Sequence, residues 1–211
     1  MPEQGRPPAA IAVTDLEVRY QGGPEPALRG VTLSVPAGSG LVVTGPEGCG
    51  RTSLVRAVVG LVTPSAGSVE VLGGSPVMDP SIRRRVGYGP EKHPFPSVMR
   101  AAEAVRLVAA VRGVPRDAAS EVLERVGLEA PQDRRIDRLE VEDVRRLSLA
   151  CAVVGDPEVL VLDDPWEFPE TVEILSAAAA RGATILVATP DPGGFPALLG
   201  PVVTLEAGVL V

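Results

Sequence analysis

A glycine-rich loop between an apolar strand and a helix constrains the fold of this chain more than any other feature. Residues 41–44 form a short continuous apolar run, which is typical of a buried parallel strand. Residues 52–59 have helical spacing and are followed by Gly60, a common helix terminator. The loop between them, residues 45–52, follows the phosphate-loop pattern G-x-x-x-x-G-K-[ST], except that arginine stands in place of lysine. Strand, loop and helix in this order predict backbone N–H groups that converge on an anion at the helix N-terminus. Because the lysine is missing, the loop taken alone is equally compatible with a simple glycine-rich turn between a strand and a helix.

Strand-like and helical segments alternate along the rest of the chain. The strand-like runs are residues 11–20, 31–35, 68–72, 85–88, 159–162 and 184–188, with a closing hairpin over 202–205 and 209–211. The helical periods cover residues 101–126, 147–154 and 171–180. This alternation predicts an α/β fold with an antiparallel β lobe at the start and a helical insert in the middle. Residues 1–10 are polar and proline-rich, and we expect them to form a flexible tail.

The composition excludes some classes of protein. The chain has 211 residues with 20 basic and 27 acidic side chains, and a net charge of −7 argues against a protein that grips nucleic acid through its charge. Cys49 and Cys151 are too far apart for a metal-ligand spacing. No apolar run reaches the ~18 residues of a membrane span. We therefore expect a soluble cytoplasmic protein with no direct membrane insertion and no nucleic-acid partner.

A second buried strand ends in acidic residues. Residues 159–162 are apolar and are followed directly by Asp163 and Asp164. This has the form of a Walker B strand, in which the acid after the strand holds Mg²⁺ through water.

With this strand in place, the sequence resembles a known family, the ATP-binding cassette (ABC) ATPases that drive transporters. Four further segments match the family in order and spacing: residues 27–33 its ALxGVSL lead-in, 86–91 its Q-loop, 139–143 its LSGGQ signature, and 184–191 the segment with its H-loop. The resemblance implies a P-loop NTPase three-layer sandwich of the ABC ATPase type. It implies one domain over residues 11–211, with a helical subdomain inserted over roughly residues 92–150.

The resemblance also assigns roles to individual residues. The nucleotide-binding positions are Tyr20, Gly45, Pro46, Glu47, Gly48, Cys49, Gly50, Arg51, Thr52, Ser53 and Glu91. Tyr20 would stack on adenine, and Thr52 and Asp163 would hold Mg²⁺ through water, so the implied cofactor is Mg-ATP. Asp164 stands at the catalytic glutamate and Pro190 at the H-loop histidine. The signature positions are Leu139, Glu140, Val141, Glu142 and Asp143.

Several of these residues differ from the family pattern in ways that weaken the chemistry. Arg51 keeps the positive charge of lysine, but its planar fork is larger and reaches differently. Asp164 is one methylene shorter than glutamate, and a misplacement of ~1 Å can cost ~10²-fold in rate. Glu91 puts a carboxylate where the family has an amide, and Glu47 puts another inside the loop. The side chain of Pro190 cannot hydrogen-bond a γ-phosphate.

The signature segment departs furthest from the family. There, a serine and glycines face the γ-phosphate of the ATP held by the opposite subunit. Glu140, Glu142 and Asp143 would bring carboxylates towards that triphosphate, and like charges repel. Val141 replaces a glycine that allows close approach of the backbone. Residues 166–169 replace the family's SGLD segment, so we expect the D-loop to be absent.

Two functions from different classes stay open at this point. The first is an ATP-binding subunit of an ABC-type transporter with weak or absent hydrolysis. Its partners would be an integral-membrane subunit and a second ATPase subunit, which would place it on the inner face of the cell membrane. The alternative is a pseudo-ATPase that does not turn over nucleotide and acts as a regulatory subunit, docking through its helical insert. A DNA-repair cassette is disfavoured because no long heptad segment interrupts the chain.

Overall fold

The computed structural model describes residues 8–23 and 25–211 as a sequence of nine strands and seven α-helices. The strands are β1 (Ala9–Val18), β2 (Leu28–Pro36), β3 (Gly40–Thr44), β4 (Ala66–Val71), β5 (Val86–Gly89), β6 (Val159–Asp163), β7 (Thr184–Ala188), β8 (Val202–Glu206) and β9 (Val209–Leu210). The helices are α1 (Arg51–Val58), α2 (Pro80–Arg85), α3 (Ala101–Arg112), α4 (Ala118–Arg125), α5 (Val141–Val153), α6 (Pro169–Ala180) and α7 (Phe195–Leu199). A short 3₁₀ helix, Ile136–Arg138, precedes α5.

An antiparallel sheet of order β2-β1-β4 forms the lobe predicted at the start of the chain. Alternate residues of its strands are buried, as in β2, where Val31, Leu33 and Val35 face inwards. The strand β1 begins earlier than expected, since Ala9 and Ala10 already belong to it and Ala10 is buried. The flexible tail predicted over residues 1–10 is therefore wrong at its inner end, and its remaining part, residues 1–7, lies outside the described residues.

A six-stranded sheet of order β5-β6-β7-β3-β8-β9 forms the centre of the fold. The strands β5, β6, β7, β3 and β8 are parallel, and β9 closes the edge antiparallel to β8. The strands β6 and β7 are buried along their whole length, which explains their uninterrupted apolar sequences. This order brings the carboxyl ends of β3, β6 and β7 side by side. The glycine-rich loop follows β3, Asp163 and Asp164 lie at the end of β6, and Pro190 lies just after β7, so these site residues share one edge of the sheet.

The central sheet separates two hydrophobic cores. In β6, Leu160 and Leu162 face a core shared with α3, α4, α5 and α6, whereas Val159 and Val161 face a core shared with α1 and the antiparallel lobe. Alternation of side chains along a strand produces this division. Helices on one face, the sheet, and α1 with the lobe on the other face make up the predicted three-layer α/β sandwich, which is confirmed.

The helical insert differs from its prediction in one respect. The helical period over residues 101–126 is not one helix but two, because α3 ends at Gly113, in a left-handed conformation at φ 73°, and Pro115 follows. The half-buried Arg112 at the end of α3 donates hydrogen bonds to the carbonyl oxygens of Ala152 and Val154, at the end of α5. This contact fixes α3 against α5.

In the described part of the chain, no helix combines the length and the apolar composition that crossing a membrane requires.

Candidate functional site

The glycine-rich loop connects β3 to α1 in a conformation that only glycine permits at two positions. Gly45 has φ 146°, and an added Cβ would overlap the carbonyl oxygen of Leu205 and the Sγ of Cys49. Gly50 has φ 109°, and its Cβ would meet the carbonyl oxygen of Ala27 at 2.5 Å. The backbone of the loop therefore packs directly against the backbone at Ala27 and Leu205. The other predicted loop residues divide into the exposed Pro46, Glu47 and Gly48 and the buried Cys49 and Ser53.

The N-terminus of α1 opens directly onto this loop. The residue before the helix, Gly50, provides no side-chain cap, and the first turn of α1 holds no acidic residue. The first backbone N–H groups of a helix have no partner within the helix and carry its positive dipole end. The local structure therefore has the charge and the donors of an anion site.

Arg51 folds back over its own loop. Its Nη1 donates hydrogen bonds to the carbonyl oxygens of Gly45 and Pro46, the second at 3.0 Å, and lies 3.6 Å from the Sγ of Cys49. A guanidinium carries several N–H donors, so these bonds through Nη1 leave Nε and Nη2 to serve an anion in the loop. The positive charge thus stays beside the predicted phosphate position, which the sequence could not establish.

Thr52 and Asp163 meet at the carboxyl edge of the sheet. The Thr52 Oγ1 donates to the Asp163 Oδ1 at 3.3 Å, although 111 positions separate the two residues in the chain. Burial raises the pKa of Asp163 to about 6, and the hydrogen bond from Thr52 opposes that rise. A hydroxyl and a carboxylate are oxygen ligands that suit Mg²⁺. No group of three or more ligand side chains exists among the described residues, so the remaining ligands would be water and phosphate oxygens.

Tyr20 lies beside α1. Its hydroxyl donates to the Oγ of Ser53 at 3.3 Å, and its side chain is 40% exposed. Arg56 lies one turn further along α1; burial lowers its pKa, and the neighbouring Tyr20 and Tyr88 outweigh that effect and raise it. Burial raises the pKa of Tyr88 to about 12. The predicted adenine-stacking residue is thus anchored through its hydroxyl next to the loop.

Asp164 points towards the end of β7. It adopts a left-handed backbone at φ 51°, its N–H donates to the carbonyl oxygen of Ala188 at 2.7 Å, and its Oδ1 lies 3.3 Å from the Thr189 hydroxyl. Pro190 follows Thr189 and is exposed, and its carbonyl oxygen accepts a hydrogen bond from Thr44 at 3.1 Å. The structure therefore brings Asp164 and Pro190, which are predicted to stand at the catalytic glutamate and H-loop histidine positions, to one edge of the sheet.

Glu91 completes the side of the site that faces the helical insert. It is half-buried, and its backbone carbonyl oxygen accepts a hydrogen bond of 2.8 Å from Nη1 of Arg145 on α5. A groove beside it runs past Thr52, Arg56, Tyr88 and Asp163. The carboxylates of Glu91 and Asp164 add to the effect of burial in raising the pKa of Asp163.

The five signature residues lie at the start of α5. Leu139 is half-buried against the helical core, Glu140 precedes the first turn, and Val141 is 62% exposed. Glu142 and Asp143 lie in the first turn, where acidic side chains stabilise a helix, and Asp143 pairs with Arg146 at 3.5 Å. Within the described residues, no side chain of this group hydrogen-bonds to the loop 45–52.

Sequence reasoning missed the contacts that residues 166–168 make. Trp166 and Phe168 pack together with ring centroids 5.6 Å apart, and the guanidinium groups of Arg145 and Arg146 lie over them at 5.4 and 4.9 Å respectively. The backbone N–H of Gly194 donates to both carboxylate oxygens of Glu167 at 3.1 Å. Two aromatic residues in a chain with 3% aromatic content, together with an adjacent pair of arginines, were the signal available in the sequence.

Comparison with known proteins gives a consistent result. The sequence model of a family described as ABC transporter matches residues 28–167. The chain is 33% identical to "Probable multidrug ABC transporter ATP-binding protein YbhF" of Escherichia coli over 86% of this chain and 33% of that protein. It is 34% identical to "Taurine import ATP-binding protein TauB" of Chromobacterium violaceum over 87% of this chain and 73% of that protein. It spans a third of the length, or less, of the first curated relatives that it matches.

Solved structures support the fold. The structure described as "Dimeric Structure of MJ0796, a Bacterial ABC Transporter Cassette" superposes with a TM-score of 0.84 at 21% identity, over 95% of this chain and 96% of that one. A post-hydrolysis state of the same cassette with ADP and Pi gives a TM-score of 0.82, over 95% of this chain and 96% of that one, at 22% identity. At this identity the likeness establishes the architecture of the chain.

Proposed function

Because the chain belongs to the ABC transporter family, we propose that it is the ATP-binding subunit of an ABC-type transporter, holds Mg-ATP, and hydrolyses it weakly or not at all. The observation that carries the binding part is the hydrogen bond between Thr52 and Asp163 at the mouth of the glycine-rich loop. A hydroxyl from the loop and a buried acid from a neighbouring strand meet where the uncapped N-terminus of α1 points. This combination suits a metal-bound polyphosphate.

Each part of the loop contributes to binding. The backbone N–H groups of residues 45–53 and the α1 dipole would hold the phosphates, with Arg51 adding positive charge. Thr52 and Asp163 would hold Mg²⁺, which when bound neutralises phosphate charge and favours the ionised form of Asp163. Tyr20, anchored through its hydroxyl to Ser53, would support the adenine ring.

Weak hydrolysis follows from the other side of the site. Attack on the γ-phosphate requires a base that receives the proton of water at the right distance. Asp164 has the shorter acid side chain and its Oδ1 is turned to Thr189, so it is a weakened base. Pro190 supplies no side-chain donor for the transferred phosphoryl group. Bound ATP would then stay on the protein for longer than the turnover time of an efficient ABC ATPase.

The first turn of α5 weakens any site shared with a second ATPase subunit. Glu140 and Glu142 are exposed, and neither is paired with a basic side chain in the described part of the chain. Facing a triphosphate, these carboxylates repel it. We therefore propose that the partners are an integral-membrane transporter subunit and a second ATPase subunit, and that these partners hold the chain on the inner face of the cell membrane. The relatives are described as multidrug and taurine transport proteins, so they define no common substrate.

The second candidate function is a regulatory subunit that does not turn over nucleotide. It is favoured by an apolar pair on the helical insert, since Leu107 and Val111, one turn apart on α3, are 48% and 63% exposed. Exposed large apolar side chains in one place indicate contact with another protein. Co-purification with a membrane protein favours the first function, whereas a complex with a soluble protein through α3 favours the second.

Nucleotide titration tests the binding proposal. Calorimetry and thermal unfolding are measured with Mg-ATP, with ATP in EDTA, and with Mg²⁺ alone. A ligand at 100 times its Kd stabilises the folded state by about 2.7 kcal/mol, and about 1 kcal/mol raises Tm by roughly 2–4 °C in a chain of this size. We expect Mg-ATP to produce this shift and ATP in EDTA to produce less. No heat and no shift with millimolar Mg-ATP would overturn the proposal.

A further inference from the structure

The segment that follows Asp164 is fixed on both sides. On one side, Arg145 and Arg146 of α5 lie over the rings of Trp166 and Phe168. On the other side, the Glu167 carboxylate accepts the backbone N–H of Gly194 at the start of α7. A four-residue connection without regular structure thereby contacts two helices that are distant in sequence. Such a segment does not move independently of α5.

Arg145 contacts two separate parts of the chain, at Glu91 and at the segment that contains Asp164 and Trp166. Its Nη1 donates to the carbonyl oxygen of Glu91 at 2.8 Å and lies 3.3 Å from the carbonyl oxygen of Asp164. Its Cζ lies 5.4 Å from the centre of the Trp166 ring. Glu91 lies just after β5 and Asp164 just after β6, and these two strands are neighbours in the sheet. One guanidinium therefore joins the two connections that leave the sheet at this point.

The chemistry of these contacts requires arginine. A guanidinium donates in its own plane and stacks through its face, so it can bind two carbonyl oxygens and cover an indole together. The Asp164 carbonyl belongs to a residue with a left-handed backbone, a conformation that persists only where neighbouring contacts hold it. Arg145 provides one such contact, and the Asp164 N–H bond to Ala188 provides another.

We propose that Arg145 is a positioning residue that fixes the backbones of Glu91 and Asp164 to helix α5 and transmits a change at the nucleotide to Trp166 and to the start of α5. Val141 lies one turn before Arg145 on the same helix, so a displacement of Arg145 moves the signature positions with it. The transmission part rests on the proposed nucleotide binding, whereas the positioning part does not.

Trp166 allows both parts to be measured. It is the only tryptophan in the chain and is 36% exposed, so the tryptophan emission and its quenching by acrylamide report on the surroundings of this one ring. Arg145→Met keeps the apolar stem and removes the charge and the donors. Arg145→Lys keeps a charge over the ring and one compact donor group. Arg106→Met makes the same change at an exposed arginine on α3 and serves as the control.

Without nucleotide, we expect Arg145→Met to expose Trp166 to acrylamide while Arg106→Met leaves the quenching unchanged. A cation–π contact at a partly exposed site corresponds to a factor of about two to five in the equilibrium between closed and open stacks. Arg145→Lys should restore part of the protection. Equal quenching of wild type and Arg145→Met, both folded by circular dichroism, overturns the positioning part.

With Mg-ATP, binding is followed by calorimetry and by Trp166 emission in the same samples. We expect wild type and Arg106→Met to change emission on binding, and Arg145→Met to bind with a smaller change or none. An emission change of wild-type size in Arg145→Met overturns the transmission part, and so does binding to wild type that leaves Trp166 emission unaltered. If calorimetry detects no binding to wild type, the proposed function fails and transmission fails with it, while the quenching comparison still decides whether Arg145 positions Trp166.

Discussion

The two halves of the candidate site differ in the groups that form them, which are mainly backbone groups in one half and side chains in the other. The phosphate-loop half, residues 45–53 with Asp163, depends on glycine backbone angles, main-chain N–H groups and one hydroxyl–carboxylate contact. The opposite half, residues 139–143 with 164–169 and 189–191, depends on side chains. In that half two of the acidic groups already have partners within the chain, since Asp143 pairs with Arg146 and Glu167 accepts the Gly194 N–H.

This difference shows which part of such a site tolerates substitution. A cradle of backbone N–H groups keeps its geometry when a side chain such as Arg51 replaces another, because the glycines and the helix set the positions of the donors. A constellation of side chains has no such protection. In this chain Trp166, a member of that half, packs under the Arg145 guanidinium and so forms part of the internal structure.

The largest expected effect tests the rigidity of the phosphate-loop half. Gly45→Ala places a Cβ on the carbonyl oxygen of Leu205 at φ 146°, so we expect a loss of about 3 kcal/mol or more in the free energy of unfolding. Gly48→Ala is the matched control: its φ is 77° with nothing within 4 Å, and it should cost about 1 kcal/mol. Urea unfolding at constant m-value measures both. Equal losses would show that the close contact of Gly45 with Leu205 does not restrict the loop.

A second prediction concerns the metal. Asp163→Asn removes the buried carboxylate that accepts the Thr52 hydroxyl, so Mg²⁺ should no longer strengthen ATP binding. Loss of a group that orients a bound metal costs about 10–100-fold in metal affinity, which is the expected scale here. Asp133→Asn, at an exposed position, provides the comparison, and calorimetry with and without EDTA gives the result. Unchanged Mg²⁺ dependence in Asp163→Asn would remove this residue from the metal site.

A third prediction tests whether the opposite half is internal structure. Glu167→Gln weakens the capping contact with Gly194 at the start of α7, and we expect a loss of about 1 kcal/mol. Glu173→Gln makes the same change at an exposed position of α6 and should stay within about 0.5 kcal/mol of wild type. The difference in denaturant midpoint between the two variants measures the effect. If Glu167→Gln matches the control, the segment is not fixed by Glu167.

The smallest expected effect lies at the opposite edge of the sheet, away from both halves. Arg85 hydrogen-bonds to Glu158 and holds the pKa of that carboxyl below its usual value. A carboxyl with a lowered folded pKa stabilises the protein above its unfolded pKa, and this contribution is lost as the pH falls through the folded value. The pair is largely exposed, so Glu158→Gln should cost less than about 1 kcal/mol at pH 7. Its Tm difference from wild type should shrink in acid, and a difference that grows in acid contradicts the assignment.

The sequence predicted those parts of the molecule that depend on local geometry. The strand, glycine-rich loop and helix around Gly45 and Gly50 were recognisable because backbone angles at φ above zero restrict the residue type. The pairing of Thr52 with Asp163 followed from the family resemblance, which assigned both residues to one Mg²⁺ site. The break between α3 and α4 was also readable, since Gly113 and Pro115 terminate helices, but the apolar period continued through it.

The rest depended on contacts between distant segments. The conformation of Arg51 is one of several open to a long side chain, and only the packed loop selects it. The stack of Arg145 on Trp166 requires α5 to pack beside β6, so no local pattern contains it. The strand β1 begins at Ala9 because Ala9 pairs with Pro36 of β2, which is distant in sequence. The composition of residues 1–10 contains no sign of this pairing and favours a tail.

Hydrolysis tests the central claim most directly. Phosphate release from Mg-ATP is measured for wild type and for a variant that combines Arg51→Lys, Asp164→Glu and Pro190→His with LSGGQ at residues 139–143. A well-placed general base contributes about 10²–10⁴-fold, so wild type should be slower by at least about 10²-fold while still binding Mg-ATP in calorimetry. Wild-type hydrolysis as fast as that of the folded, nucleotide-binding variant would contradict the account.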